Sequence, residues 1–291
     1  MLSFKKIAIV GSTGMVGKEL QTFLLNHPIK KFSSRTPLSK SSFEDLDLAF
    51  FCSSNKISKE WVPVALASNT FVIDLSSAYR EDPQIPLVIP EINGHLLENN
   101  PRLVSSPNCT ASILSLALFP LHKLFGIKKI ILSSYQAISG AGRKSYEELL
   151  SQTAKKEGPL AFNLYLHPGD EEEKVVFETR KIFNLPALPI SATCVRVPTL
   201  RAHSISVFAE FSSPVELGDA KKVLQHQPGI ALEQVTPQEA SGKEEVFVGR
   251  IRKESSHALH LWIVGDQLLK GAALNAFQIA KNLQPLYHME T

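Results

Sequence analysis

Cys109 sits in the segment Ser106-Pro107-Asn108-Cys109-Thr110, where a short apolar run gives way to a strongly apolar helical pattern. A thiol at a helix N-terminus faces unpaired backbone N–H groups and the positive end of the helix dipole. Both lower its pKa and favour a nucleophilic thiolate near neutral pH. The same N–H groups, with the Asn108 amide beside them, suit an oxyanion formed when sulfur adds to a carbonyl. An isolated cysteine is more often a buried structural residue, and Cys52 and Cys194, inside apolar strand patterns, take that reading. The Pro-Asn turn in front of Cys109 sets it apart.

A second chemical feature opens the chain. Gly11, Gly14 and Gly17 follow the run KKIAIV directly and begin a helical pattern, in the spacing GxxGxxG. Glycines there let the backbone turn tightly and approach a pyrophosphate, which the helix N-terminus stabilises through its free N–H groups. The residues so placed are Gly11, Ser12, Thr13, Gly14, Met15 and Val16; the alternative is an ordinary strand-to-helix turn. A site for NAD wants an acid about 20 residues past the first glycine, to bind the ribose 2′-hydroxyl. The stretch Lys30-Lys31-Phe32-Ser33-Ser34-Arg35-Thr36 has none, whereas Arg35 with Ser33 suits a 2′-phosphate. NADP is therefore the expected cofactor, against the alternative of a solvated basic turn.

Five blocks in order then give the chain a resemblance. Ser106-Pro107-Asn108-Cys109-Thr110, SYQAISGAG from Ser134, ATCVRVP from Ala192 with His203-Ser204, VGRIR from Val248 and LKGAALN from Leu269 resemble the aspartate-β-semialdehyde dehydrogenases. The likeness runs from Ile7 to about Leu283, with the glycine loop in front. It implies that Cys109 is the nucleophile, that Gln136 orients substrate and intermediate, and that His203 is the acid/base. Read alone, a histidine beside a strand is more often structural. By the same resemblance Arg80, in DLSSAYR, contacts phosphate and Arg196 binds the substrate α-carboxylate, a bidentate geometry that suits arginine. Glu171 meets the substrate amino group and Lys174 the phosphate, an i, i+3 pair sharing one helix face, although three consecutive glutamates leave the choice of Glu open. Asn275, Ser139 and Gly140 fall near the nicotinamide.

The activity implied is NADPH-dependent reductive dephosphorylation of L-4-aspartyl phosphate to L-aspartate 4-semialdehyde, reversible through a cysteine thioester. In the family it feeds lysine, diaminopimelate, methionine and threonine biosynthesis, and it implies a homodimer with no metal and no nucleic-acid or membrane partner. Two rivals stand beside it. An N-acetyl-γ-glutamyl-phosphate reductase shares the glycine loop, cysteine and histidine, but the SYQAISGAG block argues against it. A catalytically silent NADP-binding regulatory protein would not need Cys109, Gln136 and His203 together. Relative to the family, the stretches 27–45 and 144–170 are short, and the second helps build the subunit interface there.

The elements that must position these residues are legible as patterns. Lys6–Val10, Leu46–Phe51, Phe71–Leu75 and Leu103–Ser105 read as short buried strands, and Val16, Leu20, Phe23 and Leu24 fall at helical spacing before His27-Pro28. Strands alternating with helices predict a parallel sheet. After Cys109 the residues Ile113, Leu114, Leu116, Ala117, Leu118, Leu121 and Leu124 predict a buried helix. Longer runs follow at Lys129–Ile138, Ser191–Val197, Ser204–Phe211, Val246–Lys253 and Ala258–Val264. They predict an antiparallel or mixed sheet with one covered face. Gly271–Leu283 reads as a closing helix. The expected fold is α/β: an N-terminal Rossmann-type parallel sheet and a second α+β catalytic and dimerisation domain. The expected boundaries are 1–108 for the NADP-binding domain, completed by a C-terminal helix 271–291, and 109–270 for the second.

Composition bounds the rest. The 291 residues carry 31 Lys+Arg against 28 Asp+Glu, and 44% are apolar. That supplies a core, excludes disorder and gives too small a net charge for a general nucleic-acid binder. Three scattered cysteines exclude a disulfide framework. No stretch of ~18 uncharged apolar residues occurs; the longest candidate, Ile113 to Leu121, is interrupted by Ser115 and Pro120. With no signal-peptide pattern at the N-terminus, the expectation is a cytoplasmic protein.

Overall fold

In the computed structural model, which describes residues 2–167 and 169–284, the chain divides into two units: Met1–Asn108 with Ala272–Thr291, and Cys109–Gly271. The first is built on five strands, β1 (Ile7–Val10), β2 (Ile29–Phe32), β3 (Leu48–Phe51), β4 (Phe71–Asp74) and β5 (Leu103–Ser105). All pair in parallel, in the order β2-β1-β3-β4-β5. Every residue of β1, β3 and β4 is buried. A parallel sheet covered on both faces needs continuous apolar runs rather than alternation, and IAIV, LAFF and FVID are of that kind. Ile7, Ile9 and Phe50 point to one face, against Leu20 and Ile279. Ala8, Val10 and Phe51 point to the other, against Val62. The covering helices are α1 (Met15–Phe23), α2 (Asn55–Ala67), the short α3 (Pro90–Asn93) and a closing helix Leu274–Asn282.

The second unit begins with α4 (Cys109–Phe125), whose residues are buried on nearly every side, as an all-round apolar helix must be. Pro120 lies inside it without ending it, so the predicted buried helix extends at both ends. The sheet comprises β6 (Ile127–Gln136), β7 (Tyr165–Leu166), β8 (Ile190–Arg196), β9 (His203–Phe211), β10 (Ile230–Ala231), β11 (Val246–Ser255) and β12 (Ala258–Gly265). Its order is β10-β11-β12-β9-β6-β8-β7, mixed because β6–β8 and β10–β11 are parallel while the other pairs are antiparallel. Between strands run α5 (Arg143–Lys155), α6 (Glu171–Phe183), α7 (Leu217–Gln225) and α8 (Pro237–Ala240). Ile130, Leu132, Val207 and Ile263 are buried, while Ile131, Tyr135, Phe208 and Trp262 on the alternate positions stay partly or largely open. One face of the sheet is thus covered within the chain and the other is not.

The closing helix starts later than its pattern predicts: Leu269–Ala273 forms a π-type turn, and α-helical geometry begins only at Leu274. Among the described residues no helix is long and apolar enough to cross a membrane, and no group of three or more His, Cys, Asp or Glu side chains gathers as a metal site.

Candidate active site

Strand register assembles the site of the second unit. Gln136 ends β6 opposite Arg196, which ends β8. His203 opens β9 beside the end of β6, and pairs with Gly265 at the end of β12. Three side chains of different chemistry therefore meet at one end of neighbouring interior strands, because β6 and β8 end there and β9 begins. Cys109, at the first turn of α4, completes the group: its Sγ lies 3.4 Å from Nε2 of His203.

The other ring nitrogen of His203 is engaged. The Ala137 N–H donates to Nδ1 at 3.0 Å, so Nδ1 is an acceptor and the neutral ring carries its proton on Nε2, toward sulfur. The ring is fully buried. Burial, and then the nearby Arg196, hold its pKa well below the ordinary 6.5. Neutral His203 is thus a hydrogen-bond donor to Cys109.

Gln136 is buried, with Nε2 donating at 3.0 Å to Glu171 Oε1 and at 3.0 Å to Thr110 Oγ1. The structure separates the three consecutive glutamates: Glu171 is buried on Gln136, Glu172 accepts the Cys194 N–H at 2.8 Å, and Glu173 is exposed. Lys174, one turn along α6, pairs with Asp170 at 2.6 Å. Arg196 is buried, donates from Nη1 to the Ala137 carbonyl at 2.7 Å and meets His167 through Nη2. Gly140 lies against this pair: a Cβ there would stand 2.8 Å from Arg196 Nη1 and 3.5 Å from His203 Nε2. Gly271 does the same for the nucleophile, since its Cβ would stand 2.8 Å from Cys109 Cβ. Ser139, next to Gly140, is buried and its Oγ accepts from Gln267 Nε2.

Cys52 and Cys194 are different. Burial pushes their thiols up, to about 12 and about 11, which leaves them protonated and inert.

The glycine loop of the first unit lies at the end of β1, where the strand order reverses between β1 and β3, the usual place for a ligand in an open parallel sheet. Gly11 has φ +88°, and a Cβ would lie 2.2 Å from the Cys52 carbonyl oxygen; at Gly17 it would lie 2.3 Å from the Gly11 oxygen. Only glycine fits either position. Gly14 caps α1 without a side-chain bond, so the first turn offers its N–H groups to an anion rather than to its own cap. Ser12 is buried and bonded to the Phe32 carbonyl, while Thr13 and Gly14 are exposed and Met15 and Val16 half-buried. These residues fit the pyrophosphate of a dinucleotide. Ser33 and Arg35 fall in a turn after β2, which ends at Phe32; Arg35 is exposed.

Two expected site residues of this unit make internal bonds and a third is buried. Arg80 is buried and donates from Nε to the Ser106 carbonyl and from Nη2 to that of Leu75, bracing the turn after β4. Asn275 is buried and ties Val88 to Ser106, at 2.9 and 3.0 Å. Asn108 is buried at the end of the unit. His167, Ala137 and Gly271 carry no sequence signal of their own: the first makes its contact through a loop, the second through backbone, and the third through the absence of a side chain.

Known proteins resemble this chain over nearly its whole length. Residues 118–270 match the dimerisation domain of the semialdehyde dehydrogenases, and residues 29–100 their NAD binding domain. An aspartate-semialdehyde dehydrogenase of Synechocystis sp. is 38% identical over 96% of this chain and 97% of its own. One of Aquifex aeolicus is 35% identical over 96% and 97%. The Synechocystis alignment runs over 327 positions, more than the 291 residues of this chain, so that relative carries segments this one lacks. Among solved structures, aspartate semialdehyde dehydrogenase II of Vibrio cholerae superposes with a TM-score of 0.88 at 31% identity, covering 95% of this chain and 97% of its own. The same enzyme complexed with ASA gives 0.88 at 30%, covering 96% and 97%. The chain belongs to the aspartate-semialdehyde dehydrogenase family.

Proposed function

We propose that this protein interconverts L-4-aspartyl phosphate and L-aspartate 4-semialdehyde with NADP, through an acyl group held on Cys109. The observation that carries the reading is the cluster in one unit of Cys109, His203, Gln136, Glu171 and Arg196, with 3.4 Å between sulfur and Nε2. In the reductive direction the Cys109 thiolate attacks the acyl-phosphate carbonyl; the C–S bond forms, the C–O bond breaks, and phosphate leaves with the bonding pair. NADPH, when bound, supplies the hydride that brings the acyl group to the aldehyde level. The C–S bond then breaks and sulfur takes back its electron pair. One hard substitution becomes two easier steps.

His203 serves that cycle at Nε2. Its N–H donates to whichever atom bears the negative charge, sulfur at rest and the carbonyl oxygen in the tetrahedral species, as a preorganised donor should. Holding the proton there, with Nδ1 occupied by Ala137, narrows the family's acid/base role to one atom. Arg196 is the proposed ligand of the α-carboxylate and Glu171 of the ammonium group, opposite charges on either side of a zwitterion. Gln136 orients the acyl carbonyl. Lys174 is proposed for the phosphoryl group on its place beside Glu171 in α6, and Arg80 on its match to the family block alone. Gly11–Val16 would hold the pyrophosphate of NADP, and Ser33 with Arg35 its 2′-phosphate.

The pairing partner proposed for the open sheet face is a second copy of the chain, giving a homodimer. The family match to a dimerisation domain over 118–270 supports it, as does the row of partly exposed Ile131, Tyr135, Phe208 and Trp262. The test of function is NADP reduction with L-aspartate 4-semialdehyde. We expect turnover that requires inorganic phosphate and falls by several orders of magnitude in Cys109→Ala. Phosphate-independent turnover, or preference for the N-acetylglutamate analogue, would overturn the reading.

A further inference from the structure

His167 follows β7 and lies outside every block by which the sequence was read. Its backbone N–H donates to the Cys194 carbonyl at 2.7 Å, which fixes the residue beside β8, two positions before Arg196. Its Nε2 meets Arg196 Nη2. A guanidinium can only donate, so Nε2 of His167 must present a lone pair and its ring must carry the proton on Nδ1. Arg196 is thereby held at two points, by the Ala137 carbonyl on Nη1 at 2.7 Å and by His167 on Nη2. Each terminal nitrogen has two hydrogens, so these two bonds leave one N–H on each. The plane in which those two N–H groups lie is set by the two acceptors.

We propose that His167 is a positioning residue: by accepting from Arg196 Nη2 it fixes the guanidinium plane that receives the substrate α-carboxylate, and so sets the preference for substrates bearing that group. The inference rests on the reading of Arg196 as the carboxylate ligand. A purely structural role for His167 would affect all substrates alike. A positioning role concerns only those with the carboxylate.

The experiment compares kcat/KM for L-aspartate 4-semialdehyde and for 3-aminopropanal, the same aldehyde without the carboxylate, in the intact enzyme. His167→Phe and His167→Asn remove the acceptor at the Nε2 position, whereas the side-chain oxygen of His167→Gln reaches it. A hydrogen bond to a charged group of this kind is worth about tenfold or more. We expect Phe and Asn to lower kcat/KM for the semialdehyde about tenfold, chiefly through KM, to leave 3-aminopropanal within about twofold, and Gln to restore the preference. Arg196→Lys should abolish the preference as well. If Arg196→Lys abolishes it and the His167 variants keep it, or depress both substrates equally, the inference fails while the reading of Arg196 stands. If Arg196→Lys itself leaves the preference intact, the assignment of Arg196 fails and this inference with it. Thermal melting of each variant separates misfolding from either result, and His167→Asn, polar and small, serves where Phe does not fold.

Discussion

Because the Ala137 N–H occupies Nδ1 of His203, protonating the ring would set two N–H groups against each other beside Arg196. That geometry and the burial of the ring act in one direction, toward a neutral imidazole. The consequence for stability follows by linkage. The folded pKa lies below the unfolded value of about 6.5, so the unfolded chain binds more protons between the two. The stability that neutral His203 contributes is complete above about pH 6.5 and is lost as pH falls below it. We predict that melting temperature drops more steeply for the wild type than for His203→Gln between pH 7 and pH 5, read by calorimetry; equal slopes would contradict the buried neutral ring. At this scale the sequence was informative where a residue's type is its signal. The thiol after a Pro-Asn turn, which the structure sets beside His203, is of that kind. It was silent where the signal is a contact: nothing in the letters around His167 tells that its ring reaches Arg196, or that Arg80 bends back onto the Ser106 and Leu75 carbonyls.

Elements bring the pieces within reach, and the least regular of them does so at the closest quarters. The π-type turn Leu269–Ala273 presents Gly271 to Cys109, at a spacing that admits no Cβ. Asp266, buried, anchors the turn: Oδ1 accepts from Leu268 N at 2.9 Å and Oδ2 from Gly242 N at 2.7 Å and Arg201 Nε at 2.5 Å. On the other side Ala202 enters β9 at φ +69°, a conformation costing roughly 1–2 kcal/mol for a residue with a Cβ, and its N–H donates to Gln267 at 2.8 Å. Such strain is retained where surrounding bonds over-determine it. We expect Gly271→Ala to displace the sulfur and lower kcat by about a hundredfold, the usual effect of a 1 Å misplacement, with the fold intact by circular dichroism; near-normal kcat would show that the turn does not set the nucleophile's position. Periodicity could not reveal the π geometry, because LKGAALN has the composition of an ordinary helix start and an extra residue in one turn leaves no trace in apolar spacing. Pro120 did not hide its helix: the apolar pattern from Ile113 to Leu124 runs through it, and the burial of α4 on nearly every side holds the helix there despite the missing N–H.

For the whole molecule, alternation was the readable quantity. Strands alternating with helices announced a parallel sheet, and the residue alternation in the strands of the second half announced a mixed sheet with one covered face, which is what the two units show. The uncovered face is where a second copy is proposed. Ile131 is 41% exposed on β6, the neighbour of β9 within the seven strands. A charge there should leave a lone chain folded and oppose pairing, because like charges would meet across a two-fold axis. Ile131→Glu is expected to halve the mass seen by light scattering with no loss of helix or strand signal; an unchanged mass would place the interface elsewhere. The central claim is that Cys109 itself carries the acyl group. Its most direct test is the intact mass of enzyme mixed with L-4-aspartyl phosphate without NADPH and quenched in acid, followed by peptide mapping. The account predicts one aspartyl adduct on the peptide containing Cys109 and none in Cys109→Ala; an adduct on another residue, or undiminished turnover by a Cys109→Ala enzyme that forms none, would contradict it.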